Sequence, residues 1–103
     1  MIYSYLYTHD MKAASTRKRE QLLARLAAIP RMERGKLCRM GERPFYNHQT
    51  WENGHNVVRY VPATDLDALR EAIAGYQLFQ ELTAAYAEEV IRLTRNERKK
   101  PRR

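Results

Sequence analysis

An α+β fold follows from three features of the chain. The dipeptide Asn53-Gly54 sits between two extended runs, a basic amphipathic run is closed by Pro30, and apolar side chains recur every three or four residues from Leu66 to Leu93. The expected order is an N-terminal helix, a three-stranded antiparallel sheet with an Asn-Gly hairpin, and a long C-terminal helix. A chain of 103 residues is large enough for one core and not two. One domain is expected over 1–95, with a flexible basic tail at 96–103, where NERKKPRR has nothing apolar to bury.

Tyr3, Tyr5 and Tyr7 alternate with the period of a strand. Met11, however, opens a run that reads equally well as a start, so residues 1–10 are part of the fold on one reading and an optional extension on the other. From Met11, the side chains of Ala14, Leu22, Leu26 and Ile29 fall close to helical spacing, with Asp10 as a candidate N-cap and Pro30 as the stop. The helix is expected over about 11–28. Extended segments follow near 35–40, 45–52 and 55–61, with a turn at Gly41–Pro44.

With Asn53 and Gly54 as the two loop residues, the hairpin pairs Glu52 with His55, Thr50 with Val57, His48 with Arg59 and Tyr46 with Val61. The other face carries Phe45, Asn47, Gln49 and Trp51 opposite Asn56, Val58 and Tyr60. Its larger apolar content makes it the expected core side, packed on a helix. His48, Thr50, Glu52, His55 and Arg59 are then the expected solvated face.

Thr64-Asp65-Leu66-Asp67 has the pattern of a capping box, so a helix is expected from 64 to about 95. Its apolar set has a mean step of about 3.4 residues, nearer the coiled-coil period than that of a free helix. Such a helix is roughly 48 Å long at 1.5 Å per residue, against a radius of gyration near 13 Å for a domain of about this size. It must break, with Gly75 the weak point, or protrude. A protruding half needs cover, which predicts a homodimer through Tyr76, Phe79, Leu82, Tyr86 and Val90.

Charge is segregated along the chain. Nineteen Lys and Arg against twelve Asp and Glu give a formal +7, with +7 in residues 11–43, −5 in 64–91 and +6 in 92–103. A balance this basic favours an anionic partner such as DNA, RNA or an acidic membrane surface, and charge alone does not choose among them. No apolar run is long enough for a membrane span, and the opening residues lack the basic start of a secretory signal, so no membrane association is expected. Cys38 is the only cysteine, which rules out an internal disulfide and points to the cytoplasm.

The residues of catalysis are sparse. His48 and His55 share a face but lie about 13 Å apart at strand rise, too far to ligate one metal. Glu88 and Glu89 diverge on a helix, no glycine-rich phosphate loop occurs, and a Cys38–His48 pair is the one cluster that strand adjacency would allow. The expectation is a binding protein that is not an enzyme, with no metal and no cofactor.

Nucleic-acid binding would use Arg17, Lys18, Arg19, Lys36, Arg39 and Arg43 on phosphates, with His48 and Arg59 of the hairpin near bases or grooves. Asn47 and Gln49 suit adenine edges, but they join this surface only if the two faces are reversed. Tyr46, Trp51 and Tyr60 are alternatively core residues or platforms for unpaired bases. The rival reading is a protein-interaction module built on the long helix.

Several motifs also carry a likeness. Met32-Glu33-Arg34-Gly35-Lys36-Leu37, Pro44-Phe45-Tyr46, Trp51-Glu52-Asn53-Gly54, Arg59-Tyr60-Val61-Pro62 and Tyr76-Gln77-Leu78-Phe79-Gln80-Glu81-Leu82 together span roughly residues 19 to 95. In order and spacing the chain resembles a family of small bacterial and archaeal proteins of unknown function, often encoded beside transposases. Many members carry a Cys-rich insertion suggestive of zinc between the Arg-Gly-x-Leu and Pro-aromatic-Tyr motifs. Only Cys38 stands in that interval here, so no metal role is carried over. The resemblance implies a mobile-element or host-defence setting and DNA or RNA binding.

Overall fold

A computed structural model of the chain describes residues 16–99. Helix α1 spans Arg17–Ala27. Thr16 caps it, with an extended backbone and a hydroxyl that accepts from the Arg19 N–H at 3.1 Å. Asp10 and residues 11–15 of the expected helix lie outside the described residues. The helix stops where the Ala28 N–H turns back onto the carbonyls of Ala24 and Arg25, two residues before Pro30.

Strands β1 (Lys36–Arg39), β2 (Tyr46–Glu52) and β3 (His55–Val61) form an antiparallel sheet in that spatial order. The β2–β3 register is the expected one, from Tyr46 opposite Val61 to Glu52 opposite His55. At the loop, Asn53 has φ 51° and Gly54 φ 81°. Two successive left-handed residues define the type I′ turn whose twist matches a hairpin, and asparagine and glycine tolerate that conformation best.

The chain enters the last helix differently from expectation. A 3₁₀ turn at Ala63–Asp65 follows Pro62, with the Asp65 N–H on the Pro62 carbonyl at 2.9 Å and no side-chain cap. The Thr64 hydroxyl instead faces the Asp65 carboxylate at 3.4 Å, so the expected capping box does not form. Helix α2 then runs from Leu66 to Lys99 without a break. It passes through Gly75 and beyond the expected end near 95, where Arg95 and Arg98 suit the negative end of the helix dipole.

Gly75 serves a crossing rather than a kink. A Cβ there would overlap the Arg31 carbonyl oxygen, so glycine lets the 29–35 segment lie directly on α2. The Glu33 N–H donates to the Ala72 carbonyl at 2.9 Å beside it. Gly35, at φ 91°, makes a similar close approach to the Gln49 carbonyl and the Thr50 methyl of β2.

Two compact units result, one from the residues up to Ala28 with those from Glu81 onward, the other from Ile29–Gln80. The first buries Leu22 and Leu82 with Arg19 and Glu89. The second buries Val61 and Ala72 with His48 and Thr50.

Candidate nucleic-acid interface

Alternation along β2 and β3 sends Tyr46, His48, Thr50, Val57, Arg59 and Val61 to one face of the sheet, here the inner face. This is the face expected to meet solvent; His48, Thr50 and Val61 on it are buried, whereas His55 and Arg59 are exposed as expected. His48 and Thr50 are about 5 % exposed, at 6 % and 4 %. Their burial is tolerated because each polar group has a partner. The His48 Nε2–H donates to the Arg34 carbonyl at 2.7 Å. Thr50 donates to Glu52, and Arg59 donates to Thr50 at 3.2 Å and to both Glu52 oxygens at 3.1 and 3.2 Å. The Arg59 and Thr50 hydrogen bonds hold the Glu52 carboxyl below its ordinary range, and Glu52 in turn raises Arg59. On the same side the Arg70 guanidinium of α2 lies 5.2 Å from the Tyr46 ring centroid.

The opposite face is therefore open, reversing the expected assignment. Trp51 is 72 % exposed, Tyr60 60 %, Val58 53 % and Phe45 42 %. Phe45 and Tyr60 form a tilted pair with centroids 6.4 Å apart. Between this pair and Trp51 lies a ladder of amides. The Gln49 Nε2–H donates to Asn47 Oδ1 at 3.1 Å, and the Asn56 Nδ2–H donates to Gln49 Oε1 at 3.4 Å. Cross-strand pairing explains the order, since Asn47 faces Tyr60, Gln49 faces Val58 and Trp51 faces Asn56. On β1, Lys36 stands beside Gln49 and Cys38 beside Asn47. Lys36 is the one charged residue at the outer-face positions of the three strands, and no carboxylate is among them.

The cations expected on phosphates separate into different roles. Lys36 and Arg43 are exposed on the sheet and its β1–β2 turn, and Arg17 and Lys18 are exposed on α1. Arg39 braces the turn, donating to the carbonyls of Glu42 and Arg43 at 3.2 and 3.1 Å. Arg19 is buried, with its guanidinium 5.3 Å from the Tyr86 ring centroid and donating to a Tyr86 hydroxyl at 2.8 Å. His48 and Arg59 are engaged on the inner face as described. Of the residues expected at a partner interface, Leu82 is core, Tyr86 receives Arg19, Val90 is half-buried, and Tyr76 stacks on Phe79 beneath Arg34.

Register also disposes of the Cys38–His48 pair, because His48 faces Leu37 and Cys38 faces Asn47, on opposite sides of the sheet. Among the described residues no group of three His, Cys, Asp or Glu is placed to hold a metal ion. None of their helices is long and apolar enough to cross a membrane. In the α1 unit a groove of about 380 Å³ is lined by Lys18, Arg92 and Arg95 but also by Glu88 and Glu89, so its charge is mixed.

Phe45 and the amide ladder were not expected at this surface as a set, while Trp51 and Tyr60 were candidates for base stacking. Tyr46, the third candidate, lies on the inner side. The signal that identifies the set is the alternation itself, once the polar pairings show which face is closed. No family model matches the chain, and no curated protein or solved structure is significantly similar to it.

Proposed function

We propose that the protein binds single-stranded nucleic acid across the outer face of its sheet. The observation that carries this reading is the open aromatic surface of Trp51, Tyr60 and Phe45, with Lys36 as the one charge and no carboxylate at the outer-face positions of the strands. Aromatic rings on a sheet stack unpaired bases at about 1–3 kcal/mol per base, and any base offers a π-face. A duplex hides those faces, so the reading selects single strands. Lys36 and Arg43 neutralise phosphates, which supports a polyanion over an apolar protein partner. A place in a mobile-element or host-defence system fits this function.

The test is filter binding of short single-stranded RNA and DNA to the full chain and to Trp51→Ala with Tyr60→Ala. Loss of tenfold or more in affinity, with melting behaviour retained, is the expected outcome. Undiminished binding by the double variant would remove the sheet face from the function. A preference for the matching duplex would point instead to groove recognition.

A further inference from the structure

Resting on that reading, we infer that the bound strand leaves the outer face across β1 and seats a backbone phosphate in a groove between β1 and α2, with Arg70 as its principal contact. The groove holds about 240 Å³ and lies within the unit that contains the sheet. Gly35, Lys36 and Leu37 line it from the β1 side, and Arg70, Ile73, Ala74 and Gln77 line it from α2. Two cations and one amide therefore stand at this site, and no carboxylate lines it.

Neither cation is neutralised among the described residues. Asp67 and Glu71 flank Arg70 in sequence on α2, yet neither pairs with it, and its guanidinium is held against the Tyr46 ring. A guanidinium lying over a ring keeps its in-plane N–H fork available to a phosphate. Lys36 is likewise exposed and has no ion pair or hydrogen bond among the described residues. It also joins the groove to the aromatic surface, since it stands beside Gln49 at an outer-face position and lines the groove as well. The other edge of the sheet offers no such exit. Arg59 is the only Lys or Arg on β3, and Glu52 holds it at 3.1 Å. A polyanion stacked on Trp51 and Tyr60 thus meets uncompensated positive charge on the β1 side.

The test is filter binding of a short single strand across a range of salt concentrations, with the native chain, Arg70→Gln, Arg70→Lys and Arg25→Gln. Arg70→Gln is expected to weaken binding several-fold at low salt and to make the slope of log affinity against log salt shallower by about 0.7, the share of one phosphate contact on a single strand. Arg70→Lys, which retains the charge, keeps the slope. Arg25 is exposed on α1 in the other unit, and Arg25→Gln leaves the slope unchanged. An unchanged slope in Arg70→Gln, or an equal loss in Arg25→Gln, overturns the inference while single-strand binding through Trp51 and Tyr60 stands. A second arm titrates inorganic phosphate against thermal unfolding. Stabilisation that depends on Arg70, with strand binding indifferent to Arg70, makes the groove a site for free phosphate and overturns the path across β1. No binding to any single strand removes the underlying reading as well.

Discussion

Gly75 shows how one hydrogen atom in place of a methyl group decides a contact. In an exposed helix interior, glycine to alanine gains about 1 kcal/mol. Here the added Cβ would meet the Arg31 carbonyl, so Gly75→Ala is expected to lose about 1–3 kcal/mol, as overpacking does. Urea denaturation gives the sign directly. Glu89 is a second such residue, 2 % exposed, accepting from the Thr16 hydroxyl at 3.0 Å and from Arg92 at 3.0 and 2.8 Å. Arg92, then the Thr16 bond, hold its carboxyl at about 2 against an ordinary 4.5, outweighing the opposing effect of burial. Between those values the unfolded chain binds more protons than the folded one. The contribution is therefore full above pH about 4.5 and is lost as pH falls towards 2. Urea midpoints measured from pH 6 downwards should fall through this window in the native chain. In Glu89→Gln they should start lower and fall less.

At the scale of elements, the faces of the hairpin invert the ranking by hydrophobicity. His48→Ala is expected to lose about 1–3 kcal/mol by removing a buried ring and its hydrogen bond to the Arg34 carbonyl, whereas Trp51→Ala should shift stability by less than about 0.5 kcal/mol. Thermal melts of the two variants test the assignment. Gly54→Ala, at φ 81°, should lose about 1 kcal/mol through the left-handed strain at the turn. The strands, the Asn-Gly turn, the register and the long helix were legible because local chemistry and period determine them. Faces were not, since the network joining Thr50, Glu52 and Arg59 exists only after pairing, and apolar content alone favoured burying Trp51. Gly75 read as a weak point because a crossing by residues distant in sequence leaves no trace in helical periodicity. The capping box failed for a related reason, as Pro62 starts a 3₁₀ turn ahead of Thr64.

For the whole molecule, the formal +7 is unevenly held. Residues 29–80, which include the sheet, have seven Lys and Arg against six Asp and Glu, so most of the excess lies elsewhere in the chain. Affinity should then divide into a salt-insensitive stacking part and an electrostatic part supplied by the basic segments. Removing residues 100–103 deletes Lys100, Arg102 and Arg103. The slope of log affinity against log salt is expected to become shallower by at most about 2, at roughly 0.7 per phosphate contact on a single strand. Trp51 is also the chain's single tryptophan, and it stands 72 % exposed when folded. Its indole emission should consequently report poorly on denaturation, since water surrounds the ring before and after. A ligand lying over the ring would quench or shift that emission, giving the protein an intrinsic optical gauge of whether its outer surface is occupied.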